Sequence, residues 1–544
     1  MSFVRRGTHV CVSALLLLAP RLHAQSPAAG PPTLQRGIVG QVVPNRFLLL
    51  YREGVIPADA GTAMQDSGAR LLQRHDRLGI TVVESEPGSD SSATLGRLAA
   101  LPGVEAVLRD RIVSAHRITA RFPPALAPLP HNGPPSAPPA GPPIARRPVV
   151  HTSPIVSAAP GAADSFYTST EQQWAVRAVG GYGSNVPGGP AHGPWDVSMG
   201  RGVRIAILDS GVDAQHPDIR PNLALNLSEI DQSPATGLPS PCDDASPDDQ
   251  QGHGTWAASL AAGALGNGTG EVVGVAPLAT LLNIKVLERM PNGDGSNPAA
   301  QCPGGQASGL LSWVLRGIDE AIAQRADIIS MSLGVVVDLN TGDGAGLKAT
   351  FDRATHAASQ AGAVLIAAAG NDGFDLGNPR YLELPAQSRD VLAIVATTNP
   401  GCAEDLRTGA VCTPGPVTRA YYSNFGAPLH ALSAPGGSYP AGDDRGVTGW
   451  IRGACSSGKP GTLDGAPGAP GYSFGCFNLG HTAYVQAMGT SAAAPLAAGV
   501  AALLRAAHPD WDAAAVIAAM RAEGDASNLF GINAAATLTS LLTP

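Results

Sequence analysis

Short apolar runs alternate with helix-patterned stretches over most of this chain. Residues 203–208, 280–287, 326–332, 363–369 and 391–397 each read as a strand. Leu310, Leu311, Val314, Leu315, Ile318 and Ile322 recur at helical spacing within 310–324, and 348–360 and 491–507 read as further helices. The strand runs are apolar throughout instead of alternating, which is what burial on both faces demands. Strand and helix in alternation predict an α/β architecture, a parallel sheet with helices on both faces. The span 164–544 is long enough to bury a large core.

Open α/β sheets place their chemistry at the carboxyl ends of strands. The run 203–208 leads straight into Asp209-Ser210-Gly211. Downstream stands Gly252-His253-Gly254-Thr255, whose glycines let the backbone turn tightly and let other groups come close, with a helix expected from about 255 to 262. Gly489-Thr490-Ser491-Ala492-Ala493-Ala494-Pro495 opens an Ala-rich helix. A serine there lies beside unpaired N–H groups and the positive end of the helix dipole, where developing negative charge is stabilised. Taken singly, these are a turn Asp, a surface His and an N-cap Ser. Taken together, Asp209, His253 and Ser491 supply an orienting acid, a general base and a nucleophile. A serine hydroxyl needs the imidazole to take its proton, and the imidazole needs a carboxylate to hold its tautomer.

These three blocks, in this order, resemble the signatures of the subtilisin-like serine proteases (subtilases, peptidase S8 family). The resemblance extends to Ala367-Ala368-Ala369-Gly370-Asn371, similar to the oxyanion block, and implies that the Asn371 amide and the Ser491 N–H donate to the oxyanion. It implies that Ser308 and Gly309 form one edge of a substrate cleft, Ser332, Leu333 and Gly334 the other, and that Ala368 and Gly370 also line it. Three positions depart from the pattern. Ala492 follows the nucleophile where many members carry Met. Val335 replaces a glycine and is expected to narrow the cleft. Leu384-Pro385-Ala386 lacks the usual aromatic before Pro-Ala. Glu383 precedes that last block, near the expected S1 pocket; an acid there either favours basic P1 side chains or is merely solvated.

The N-terminus reads as a signal peptide, 1–24. Arg5 and Arg6 precede a short apolar core at 10–20 and a Leu22-His23-Ala24 cleavage site, so a secreted product, extracellular or periplasmic, is expected. The unit at 25–121 carries strand patterns at 46–51, 80–84 and 104–108 and a helix pattern at 92–101, which fit a ferredoxin-like β–α–β–β–α–β order. It resembles the propeptide inhibitor domain of subtilases, which implies a self-processing zymogen. Residues 122–163, rich in Pro, Ala and Gly, read as an extended linker, and 164–544 as the catalytic domain. Of seven cysteines, Cys11 leaves with the signal. The other six suit an oxidising compartment. Sequence proximity and loop context suggest Cys242–Cys302, Cys402–Cys412 and Cys455–Cys476, with other pairings open.

The net charge of -8 and the absence of a basic run argue against a nucleic-acid partner. The glycine-rich stretch 341–346 lacks the lysine and flanking elements of a phosphate loop and reads as a surface loop. No cofactor is expected for catalysis, though the resemblance implies a structural calcium at Asp218 and Asn267. The expected activity is a serine endopeptidase acting on protein or peptide substrates, monomeric, with its own propeptide as inhibitor and no membrane partner. Two other readings of the same residues are a transpeptidase or peptide cyclase, in which an amine resolves the acyl-enzyme, and a non-catalytic peptide-binding protein.

Overall fold

Both faces of the central sheet are apolar because its strands are covered by helices on both sides. The computed structural model describes residues 40–86, 89–116, 119–121, 164, 167, 173–184, 192–231, 239–266, 270–291, 297–302, 305–341, 343–398, 417–437, 450–457, 475–477, 479 and 482–522. The expected signal, the linker 122–163, Asn267 and the pair Cys402 and Cys412 lie outside these residues.

The N-terminal unit runs β1 (Val42–Tyr51), α1 (Ala60–Asp66), β2 (Ala69–His75), β3 (Ile80–Ser85), α2 (Ser91–Ala99) and β4 (Val104–Ala115). Its antiparallel sheet has the order β4–β1–β3–β2. Phe47, Leu49, Tyr51, Met64, Val83 and Leu98 form the core between this sheet and its two helices. Leu48 and Leu50, on the other side of β1, are buried too. That run of three leucines therefore needs a cover on both faces.

The larger part is built on β5 (Arg204–Asp209), β6 (Leu223–Ser228), α3 (His253–Ala262), β7 (Thr280–Lys285), β8 (Gln306–Leu310), α4 (Leu311–Ala323), β9 (Ile328–Met331), β10 (Leu333–Asp338), α5 (Gly344–Gln360), β11 (Val364–Ala368), β12 (Tyr381–Leu384), β13 (Val391–Thr398), β14 (Leu432–Pro435), β15 (Tyr484–Met488), α6 (Thr490–Ala507) and α7 (Ala513–Ala522). The parallel sheet has the order β14–β13–β11–β9–β5–β7–β6. Ile205 and Ile207 point into the cluster that holds Trp256 of α3 and Val500 of α6. Leu208 points to the opposite face, where a Cβ on Gly317 of α4 would fall 3.4 Å from it. A period of two thus distributes one apolar run between two helical layers. Helix α6 is long and apolar enough to cross a membrane by composition, but 83% of it is buried in this core.

The N-terminal unit lies on α4 and α5, which supply the missing cover. Arg46 is fully buried 2.8 Å from Asp110 Oδ2 and 2.7 Å from Asp231 Oδ2, and its Nη2 donates to Ser312 Oγ of α4 at 2.9 Å. Asp319 of α4 meets His75 and Arg77. Strand β4 then leaves its own unit and pairs with β8 and β10 of the larger part.

Three boundaries differ from the sequence expectation. Helix α5 begins at Gly344, within the stretch read as a loop. A Cβ on Gly346 would lie 2.4 Å from Leu108 Cδ2, so that glycine admits a neighbouring strand and is not a loop signal. The run 326–332 breaks at Ser332 into β9 and the edge strand β10. Helix α3 starts at His253 itself, not at 255. The bonds Cys242–Cys302 and Cys455–Cys476 are present.

Candidate active site

Strand β5 delivers Asp209 to its carboxyl end, buried. Its Oδ1 accepts from the Ser210 N–H at 2.7 Å and lies 2.7 Å from His253 Nδ1. The imidazole is thereby held with Nδ1 toward the carboxylate and Nε2 toward the cleft. Glycines make this approach possible. A Cβ on Gly254 would sit 2.1 Å from Gly211 O, and Gly252 has φ +102° with Cys455 Sγ 2.9 Å from its Cβ position. The His253 ring meets the edges of Trp256 and Phe477.

Asp249 was not singled out in the sequence, yet it organises this segment. It is fully buried and accepts five hydrogen bonds, from Ser210 Oγ, the N–H groups of Gln251, Gly252 and Thr255, and Thr255 Oγ1. Burial raises its pKa, and these donors oppose that. It stands in a polar loop (Asp248-Asp249-Gln250-Gln251) that reads as solvated, so nothing local marked it.

Ser491 is the second residue of α6, where N–H groups have no partner inside the helix. Pro495 has no N–H to give to the carbonyl four residues back, which is that of Ser491. Ser332 Oγ donates to that carbonyl instead, at 3.1 Å. Ser491 Oγ points to Ser332 O at 3.5 Å, and His253 Nε2 has no hydrogen-bond partner. The serine–imidazole hydrogen bond is therefore not made in this structure; such bonds tighten in the reacting complex. Asn371 follows β11; its Oδ1 accepts from Thr490 N at 2.8 Å and Thr490 Oγ1 at 2.7 Å. With Oδ1 so engaged, the amide Nδ2 is its donor toward the site.

The two expected cleft edges flank one strand. Ser308 and Gly309 pair with Ser114 and Val113 of β4, while Leu333 and Gly334 pair with Ala115 and Ser114. Ser332 is not in that ladder and serves the nucleophile segment. His116 follows β4 and is buried, its ring hydrogen-bonded to the backbone of Ala368. Gly370, with φ +99°, stands next to Glu383 and Asn424. Glu383 is 1% exposed, which overturns the solvated reading of that residue. Val335 pairs with Leu384 of β12.

At the expected calcium position, Asp218 Oδ2 accepts from Glu271 N, Val272 N and Tyr484 OH at 3.0–3.3 Å. No group of three or more His, Cys, Asp or Glu converges among the described residues, and Asn267, the other expected ligand, lies outside them.

The sequence pattern of the Subtilase family matches residues 200–532, more than half of the chain. The chain belongs to the subtilase family. It is similar to subtilisin NAT of Bacillus subtilis subsp. natto, 31% identical over 317 residues, 58% of this chain and 59% of that protein. The chain thus spans less than two thirds of the curated subtilisin it matches. Among solved structures it resembles fervidolysin from Fervidobacterium pennivorans, described as a keratinolytic enzyme related to subtilisin, at TM-score 0.57 and 18% identity, over 93% of this chain and 62% of that one. It also resembles the epidermin leader peptide processing serine protease of Staphylococcus aureus at TM-score 0.58 and 16% identity, over 92% and 99%. These identities speak for the subtilase fold. The parallel sheet with helices on both faces agrees with it.

Proposed function

We propose that this subtilase is a serine endopeptidase made as a secreted, self-processing zymogen, with the N-terminal unit that ends in β4 as its propeptide. One observation carries the reading: β4 is clamped as an added strand between β8 and β10 and leads into His116, which is buried within electrostatic reach of His253. A peptide held this way is bound mainly through its main chain, as an endopeptidase binds substrates of varied sequence.

Ser491 Oγ attacks the carbonyl carbon presented by the clamped strand, and its proton passes to His253 Nε2. Asp209, already 2.7 Å from Nδ1, stabilises the imidazolium. Asn371 and the Ser491 N–H receive the oxyanion at the start of α6. His253 then protonates the leaving amine. Water hydrolyses the ester with His253 again as base.

Intact mass of the wild type beside Ser491→Ala, from a protease-deficient host, tests this. The wild type is expected to lose its N-terminal segment and Ser491→Ala to keep it. Retention by both folded proteins would refute self-processing.

A further inference from the structure

We infer that Glu383 determines the specificity of the S1 pocket, that it selects a basic side chain at P1 (the residue whose carbonyl is attacked), and that the chain's own first substrate is the peptide bond on the carboxyl side of His116. This inference rests on the endopeptidase reading above and adds what the enzyme selects.

The path of the chain fixes the residue at the site. Strand β4 pairs with both cleft edges up to Ala115. The chain is paired again at Thr119–Arg121, where Thr119 lies opposite Met488 of β15, three residues before Ser491. The backbone is thus paired on both sides of residues 116–118, and His116 is the described residue among them.

The pocket then reads the His116 side chain. A Cβ on Gly334 would fall 2.7 Å from His116 Cε1 and 2.1 Å from Glu383 Oε1, so Gly334 forms a wall against both groups. A Cβ on Gly370 would fall 3.0 Å from Glu383 Oε2, which makes Gly370 a second wall. Glu383 lies at the end, its Oε1 3.8 Å from His116 Nε2. Asn424 Nδ2 donates to Oε2 at 3.4 Å. Oε1 and Nε2 are both buried, and neither has a hydrogen-bond partner among the described residues. They face each other across a gap that a slightly longer donor would close.

The chemistry of such a pocket is selective. A buried carboxyl with an unpaired oxygen costs free energy that an apolar P1 side chain does not recover. An acidic P1 adds repulsion. A basic P1 supplies a charge-assisted hydrogen bond, and the longer stems of Lys and Arg reach further than imidazole. Asp372 lies within electrostatic reach of Glu383, and its negative charge also favours a cation. Burial pushes Glu383 well above the usual carboxylate range, with Asp372 adding to it, and pushes His116 down to about 4. Burial thus disfavours the charged form of both groups in this pair, whereas Lys or Arg stays charged and brings its own proton.

Cleavage breaks the C–N bond after His116. The Ser491 proton goes through His253 to the freed amine, and water supplies the hydroxyl of the new His116 carboxyl and returns a proton to Ser491.

The test uses the full chain. Wild type and Ser491→Ala are compared by intact mass and N-terminal sequencing. The mature enzyme is then assayed on succinyl-Val-Ser-Ala-X-p-nitroanilides with X = His, Lys, Arg, Phe or Glu. The expected first cut leaves Arg117 as the new N-terminus, and kcat/KM for Lys and Arg exceeds that for Phe by at least about tenfold. Glu383→Gln is expected to remove most of that preference by losing the basic substrates. In the chain with Glu383 intact, His116→Lys should process at least as fast as wild type and His116→Glu should fail to cut there, which tests the pocket even if Glu383→Gln does not fold. A first cut elsewhere, a preference for Phe, or basic preference surviving in Glu383→Gln would overturn the inference while leaving the endopeptidase standing. No cut and no hydrolysis of any substrate by folded wild type would overturn the endopeptidase reading itself.

Discussion

At the scale of single residues, the site depends on side chains whose geometry is set by a neighbour. Thr490 holds Asn371 by its Oδ1, so the amide donor is aimed before substrate arrives. Asn371→Ala is expected to lower kcat by about 10²–10³-fold with little change in KM, the magnitude known from subtilisin itself, as steady-state kinetics on a peptide anilide would read. Glu288 is a second case, away from the chemistry. Burial, with Asp243 nearby, raises its pKa from 4.5 to about 8. The folded chain therefore holds a proton that the unfolded chain releases above pH 4.5. Stability is lost as pH rises from about 4.5 to about 8, then levels off. Glu288→Gln keeps the acceptor for Ser240 N and removes that slope. Its unfolding midpoint should gain on wild type progressively across that window, measured by thermal unfolding of the Ser491→Ala protein at several pH values.

Among elements, two helix openings matter. Helix α6 carries a proline in its sixth position, and the carbonyl this releases belongs to the nucleophile residue and is taken by Ser332. Helix α3 begins on His253 because Gly252 turns beneath the Cys455–Cys476 bridge. The bridge lies against Gly252 and Phe477 against the His253 ring, so the bridged loop acts as a lid on the segment that carries the imidazole. Replacing both Cys455 and Cys476 by Ser opens a loop of 21 residues' separation, which costs about 3 kcal/mol of stability. The expected result is a lower unfolding midpoint together with a fall in kcat at temperatures where the variant is still folded. Loss of midpoint without loss of kcat would remove the lid's part in positioning His253.

For the whole molecule, the N-terminal unit and the larger part complete one another. The apolar back of β1 finds its cover on α4 and α5, and Arg46 lies buried between Asp110 of one part and Asp231 of the other. Removing one partner of a buried ion pair leaves the other charge unpaired and costs about 3–5 kcal/mol. Arg46→Ala in the Ser491→Ala background should therefore lower the unfolding midpoint and speed proteolytic loss of the N-terminal unit. An unchanged digestion rate would mean that β4 alone holds the unit in place.

Much of this was legible in the sequence because it is written in local patterns. Continuous apolar runs fixed the strands and their parallel arrangement. Glycines beside a histidine and a serine before an alanine helix marked the candidate site residues, and in the N-terminal unit local patterns marked β1, β3, α2 and β4 but not α1 and β2. What local pattern could not carry depends on partners distant in sequence. Gly346 looked like a loop glycine until Leu108 was found against it. Asp249 carried no local mark, because its importance lies in the five donors the fold brings around it. Glu383 could be read as a solvated acid, and only the fold showed it buried beside Gly334, Gly370 and His116. The sequence determined which residues could form strands, helices and a triad, since those choices rest on each residue's own neighbours. Burial and pairing between groups tens to hundreds of residues apart were decided by the tertiary structure alone, because the cost of an unpaired buried charge depends on what the fold brings beside it.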